Sequence, residues 1–320
     1  MARRNTSKKV CLGAVYALAV VLAGALTTDD ARAAEGAASM YLPGSAGDLL
    51  IAVSPEPGLT ATGGVFIQSG SVGTAVLQGA VNVGIDVDLV LKIAGLSYTF
   101  ETPIEDLTYT IGALVPFGQV DLTATIIGPM GNRFSASQDA YNIADSAITP
   151  LALNWKSGDF HVRFAQTIYA PTGAYDPNKV VNIGRNYWGF DTSAAVTYFN
   201  QSTGTEISIA PGILINRRNP DTDYRTGPEF HLDITASQFL SETFAVGARA
   251  YYYRQVGGDS GSGARLGDFK GEAFGIGPGF FWTPKFAGGK LVVVGKYLRD
   301  VTSTNRFKSD YGTVGVAWKF

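Results

Sequence analysis

The chain has 320 residues, of which 16% are charged and 12% aromatic, with 39 glycines and a formal net charge of −2. That mixture is poor in helix formers and rich in strand and turn formers. It holds no basic block of the kind that grips nucleic acid and no acidic tail, so no nucleic-acid partner is expected.

The N-terminus reads as a secretory signal over residues 1–33. Arg3, Arg4, Lys8 and Lys9 precede an apolar run from Val10 to Leu26, and Ala31-Arg32-Ala33 offers a small-x-small cleavage site. The alternative is a retained transmembrane anchor, since the run has about the minimum spanning length. Cleavage would remove five of 25 basic and two of 27 acidic residues, leaving 20 and 25 and a mature charge of −5. It would also remove Cys11, the only cysteine. Disulfides, thiolate metal sites and cysteine nucleophiles are then excluded.

Residues 34–85 are Gly-rich, with Pro43, Pro55 and Pro57 as breakers, and read as an irregular segment. It is a candidate periplasmic or plug element. From Asp86 to Phe320, alternation of period two recurs. In 86–98, Val87, Leu89, Leu91 and Ile93 oppose Asp86, Asp88 and Lys92. In 105–115, Tyr109, Ile111 and Ala113 oppose Thr108, Thr110 and Gly112; in 119–127, Val120, Leu122 and Ala124 oppose Gln119, Asp121 and Thr123. The period predicts further strands near 146–156, 159–170, 187–199, 204–215, 228–238, 242–254, 271–282, 289–301 and 310–320. With a strand at 118–128 this makes twelve; a strand at 59–69 and one more would make fourteen.

A soluble sandwich alternates in the same way. Four features favour an antiparallel transmembrane β-barrel. Short turns such as Lys156-Ser157-Gly158 alternate with long polar stretches near 129–144, 171–186, 216–227, 255–269 and 302–309. Aromatic residues cluster near strand ends, as interfacial girdles require. The polar faces carry small residues such as Gly275, Gly277 and Gly279. Finally, Val314, Val316, Trp318 and Phe320 form one apolar face, with Trp318 and Phe320 as an assembly signal.

Residues 170–190, APTGAYDPNKVVNIGRNYWGF, resemble the motif of an outer-membrane family associated with the meta pathway of phenol degradation, also called SphA-like. Pro150-Leu151 through Trp155, Gly158-Asp159-Phe160-His161, Gly227-Pro228-Glu229-Phe230 and Ala273-Phe274-Gly275-Ile276-Gly277-Pro278-Gly279 match it in order. The resemblance implies an outer-membrane channel for small hydrophobic or aromatic solutes, with membrane lipid and the barrel assembly machinery as partners. In the motif itself, Pro171 and Gly173 fix one turn and Asp176-Pro177-Asn178 begins another, so Tyr175 and Asp176 mark an external mouth or an inward fold. A rigid hairpin loop without a ligand is the plainer reading.

No enzyme chemistry stands out. The two histidines, His161 and His231, share strand faces with acidic neighbours, but no serine stands at a recognisable nucleophile turn. Glu229, His231 and Asp233 have unspecific spacing for a metal, so no metal, catalytic residue or cofactor is expected. The expected lumen carries Asp86, Asp88, Lys92, Asp121, Asp159, His161, Arg163, Asp191, Glu206, Glu229, His231, Asp233, Arg249 and Lys296, a mixture suited to a narrow channel. A plugged structural or adhesion barrel and a barrel lipid hydrolase are the rival expectations.

Overall fold

The computed structural model describes residues 38–77, 80–127, 133–179, 181–264 and 270–320. The expected signal peptide lies outside the described residues. Among them the strands are β1 (Gly58–Leu77), β2 (Ala80–Glu101), β3 (Leu107–Ile127), β4 (Arg133–Ile143), β5 (Ser146–Ser157), β6 (Phe160–Ala170), β7 (Gly189–Asn200), β8 (Thr205–Asn216), β9 (Glu229–Ser241), β10 (Phe244–Gln255), β11 (Glu272–Trp282), β12 (Leu291–Thr304) and β13 (Lys308–Lys319).

Every pairing is antiparallel between sequence neighbours, except that β1 closes the sheet on β13 and β3 pairs with both β4 and β5. The result is a closed barrel of twelve strands, with β4 as a thirteenth that extends the wall along β3. Closure leaves the barrel without an exposed edge in lipid, where an unpaired backbone group would cost several kcal/mol.

The strands are unequal. Strands β1, β2 and β3 have 20, 22 and 21 residues, against 11–14 for β4–β13. A tilted strand crosses the hydrocarbon in about 9–11 residues. Roughly half of each long strand therefore stands beyond the membrane, on the side of the long loops.

The change of surroundings is written into the side chains. In the lower part of β2, Leu96, Tyr98 and Phe100 face outward; in the upper part Ile85, Val87 and Leu91 are buried inside and Asp86, Asp88 and Lys92 face out. Strand β3 does the same: Ile111 and Phe117 are exposed outward, whereas Val120 is buried inward. Lipid lies outside the lower half and water outside the upper half, so the apolar face must switch sides.

That switch explains two differences from the sequence pattern. Residues expected as two strands, 105–115 and 118–128, form the single strand β3, and the 129–144 stretch expected as a loop largely forms β4. The change of phase around Pro116 imitates a turn. Pro116 is tolerated because its carbonyl accepts the Ala144 N–H (2.8 Å), so its missing donor falls on the same side, at the gap between β4 and β5. The barrel also begins at Gly58 instead of Asp86, because the glycines of 58–70 belong to a strand. The missed β1 and the divided β3 offset one another, which is why the expected count of twelve agrees with the closed wall.

The outer face suits a bilayer. At the short-turn end Tyr98, Phe100, Phe160, Trp282 and Trp318 are exposed outward, with Phe160 and Tyr198 in contact at 5.3 Å between ring centroids. Nearer the long loops, Lys92 and Arg217 lie over Phe117 (5.9 Å) and Phe190 (5.8 Å), their apolar stems along the wall.

Candidate functional site: a lumen with two unlike walls

The inner faces of β7–β12 form a polar wall. Asp191, Glu206, Glu229, His231, Asp233, Arg249 and Lys296 all point inward and are buried or nearly so. Such charges are costly without partners. Many partners come from residues 38–54, which run inside the barrel against this wall. The Tyr41 hydroxyl donates to both carboxylate oxygens of Asp233 (3.0 Å each), and its ring stacks on His231 at 4.2 Å. Asp48 accepts from Arg249 (2.9 Å) and Lys296 (3.2 Å). The Leu50 N–H reaches Glu206 (3.3 Å), and the Ala52 N–H reaches Thr197 (2.9 Å). Within the wall, His231 Nε2 meets Asp191 at 3.0 Å, and Thr235 and Ser237 each donate to Glu206 at 2.7 Å. Gly212 lies opposite His231 in register, and a Cβ there would stand 2.3 Å from the imidazole. Glycine is what lets the ring lie flat against β8.

The inner face of β1–β3 is the opposite. Phe66, Val87, Leu91 and Val120 are buried on it, with Leu89, Ile93 and Leu122 beside them. Between this apolar wall and the inserted segment lies a cavity of about 730 Å³. A second cavity of about 240 Å³ lies toward the short-turn end, lined in part by Val53, Ser97, Thr110 and Asn154. The two share Thr62, Leu114, Ala147, Thr149 and Arg163 in their linings, so they meet at one level.

The 171–186 loop closes part of the upper end. Asp145, at the gap between β4 and β5, accepts the N–H groups of Gly173 (2.9 Å) and Arg185 (2.6 Å). Ala174 donates to Ile143 O (3.0 Å), at the membrane-proximal end of β4. Gly173 and Gly184 touch backbone to backbone; a Cβ on Gly184 would come within 2.6 Å of Gly173. Asn182 bridges Asp176, accepting its N–H (2.8 Å) and donating to its carbonyl (3.0 Å). The Asp176-Pro177-Asn178 turn is present, closed by Lys179 N–H on Asp176 O (3.0 Å). Pro171 is only partly buried at the start of the loop, while Tyr175 lines the main cavity and accepts from Asn219 (3.2 Å). Val181 and Ile183 pack on the apolar inner face of the strand extension.

Five residues expected in the lumen lie elsewhere. Asp86, Asp88 and Asp121 sit on the outer face of the extension and Lys92 just below them, because the apolar side there faces in. Asp159 is exposed in the turn between β5 and β6, where it accepts from Asn200 (3.0 Å). His161 and Arg163 point inward from β6. Sequence reasoning missed Tyr41, Asp48 and the apolar wall. Nothing periodic marks the first two; the phase change at Pro116 marks the third.

A closed, girdled barrel with short turns at one end and long loops at the other is a β-barrel of the bacterial outer membrane. The chain belongs to the family described as "Putative MetA-pathway of phenol degradation", whose profile matches residues 69–314. Among solved structures, an outer membrane channel from Pseudomonas putida F1 is 16% identical, with 88% of this chain and 100% of that chain covered and a TM-score of 0.68. The β domain of the Bordetella autotransporter BrkA is 10% identical over 82% of this chain and 100% of that one, at a TM-score of 0.48. A FadL homologue of Pseudomonas aeruginosa is 9% identical over 82% and 90%, at 0.40. No curated protein matches the sequence.

Proposed function

We propose that this barrel is a channel for passive uptake of small hydrophobic or aromatic compounds. The observation that carries this is the cavity of about 730 Å³ against an apolar wall, inside a closed barrel and adjoining a second cavity toward the short-turn end. Its size falls in the usual range for small-molecule sites. Membership of a family named for phenol degradation, and the fold shared with an outer membrane channel, support the reading. The test is conductance of the purified, folded protein in planar bilayers, with growth of a deletion strain on a scarce aromatic carbon source. Conductance and slowed growth are expected; absence of both would sink the proposal.

A plugged structural barrel is favoured by one observation, the 38–54 segment inside the lumen. It predicts no conductance, and loss of partner binding when 171–186 is shortened. A lipid hydrolase has less support. His231 is paired with Asp191, but its Nδ1 meets no partner among the described residues, so no serine completes a triad. We assign Trp318 and Phe320 to recognition by the barrel assembly machinery, to be checked by the folded yield after Phe320→Ala.

A further inference from the structure

Most charged groups around the cavity have a partner. Asp48 is held by Arg249 and Lys296, Asp145 by two backbone N–H groups, and Asp191 by His231. Arg306 lies over the ring of Tyr253 at 4.0 Å; its Nη1 is also buried without a partner, but it lines the large cavity alone. Arg163 has neither an ion pair nor a hydrogen bond among the described residues, and its Nε is shut away from solvent without an acceptor. Two residues along the same inner stripe, buried His161 has an equally unpartnered Nδ1.

Its position is as informative as its solitude. Five residues line both cavities, and Arg163 is the only charged one. Arg163 therefore stands where the two cavities adjoin. An unpaired, shielded cation is costly, and a guanidinium offers a planar fork of donors matched to a carboxylate. Leu114 and Ala147, which line both cavities with Arg163, offer apolar surface for the rest of such a molecule.

We propose that Arg163 is the specificity-determining residue of the lumen, selecting small amphipathic anions: aromatic or short aliphatic carboxylates whose carboxylate meets the guanidinium where the two cavities adjoin and whose apolar body rests against Leu114 and Ala147 there. This deepens the channel reading and rests on it.

The probe is benzoate, with benzamide as its neutral analogue, titrated into the folded, detergent-solubilised barrel by calorimetry. A hydrogen-bonded charge pair contributes about 1.5–3 kcal/mol, so wild type should prefer benzoate by roughly tenfold or more. Arg163→Gln should remove that preference and Arg163→Lys should keep most of it. In bilayers under a KCl gradient, Arg163→Glu should move the reversal potential toward cation selectivity. Because Arg163 makes no native contact that stabilises it, Arg163→Met should raise the thermal midpoint; a merely structural arginine would lower it. Benzoate binding unchanged in Arg163→Gln, or a lowered midpoint in Arg163→Met, overturns the inference. Arg163-dependent benzoate binding by a barrel that conducts nothing would sink the channel reading and leave this one standing. Conductance with Arg163-independent binding would do the reverse.

Discussion

The wall formed by β7–β12 and the wall formed by β1–β3 enclose one lumen but meet its demands differently. The first carries buried charges, and each needs a partner in a place where water is scarce. The chain supplies many of them from its own 38–54 segment, through Tyr41, Asp48, Leu50 and Ala52. The second wall is apolar and asks for no partner, so the segment leaves it uncovered and the cavity opens there. A polar wall attracts a permanent occupant of the same chain, whereas an apolar wall leaves room for a foreign one.

Breaking the polar side should have the largest effect. Asp48→Ala leaves Arg249 and Lys296 buried and unpaired; removing one partner of a buried pair costs about 3–5 kcal/mol. The expected outcome is release of the 38–54 segment, read as new protease cleavage there and as raised single-channel conductance. Next comes the apolar side. Leu91→Asn places an unsatisfied amide on the cavity wall, a penalty of about 1–3 kcal/mol. Uptake of an aromatic probe in a liposome assay should fall several-fold, while the segment stays protected from protease. A variant that released the segment instead would show the two walls to be coupled. Tyr41→Phe is milder, since it keeps the stack on His231 and loses the hydroxyl's bond to Asp233 and the long one it accepts from the Gly44 N–H (3.3 Å). About 1.5 kcal/mol of docking should be lost, visible as faster hydrogen exchange at Leu50 and Ala52 with conductance little changed.

These two walls were unequally legible in the sequence. Asp191, Glu206, Glu229, His231, Asp233, Arg249 and Lys296 stand on strands of ordinary length whose outer face meets lipid throughout, so alternation alone separates inside from outside. On β2 and β3 the outer medium changes from lipid to water part-way along. The same alternation then assigns Asp86, Asp88 and Asp121 to the wrong side and cuts β3 in two at Pro116. Tyr41 and Asp48 were invisible for another reason. They lie in irregular backbone, and what makes them matter is the partners 192 and 201 residues away, Asp233 and Arg249. Arg163 was readable as a lumen residue, but its lack of a partner is a property of the assembled barrel only.

The most local expected effect on the lumen lies in the long loops, at the rim of the polar wall. Asp259 is buried between the 217–228 loop and residues 256–264, where it accepts from the Tyr224 hydroxyl, the Gln255 side-chain amide and the Gly227 N–H (2.9 Å). Burial pushes its carboxyl up from 3.8 to about 7, against those hydrogen bonds, which favour the ionised form. A carboxyl whose folded value is raised binds its proton more tightly when the loops are docked. Its stabilising contribution is therefore full below the unlinked value of 3.8 and falls as pH rises toward 7, with no further loss above that. Limited proteolysis of the 256–264 region should accordingly quicken between pH 5 and pH 8, beyond the protease's own pH profile on an unfolded control. Asp259→Asn keeps the shape, removes the titration and should flatten that dependence. Asp259 reaches the polar wall at its upper rim, through Gln255 at the end of β10, and not at the inserted segment; benzoate preference and protection of the 38–54 segment should therefore not move with it, and if they do, the loops are coupled to the lumen and the division into two independent walls fails.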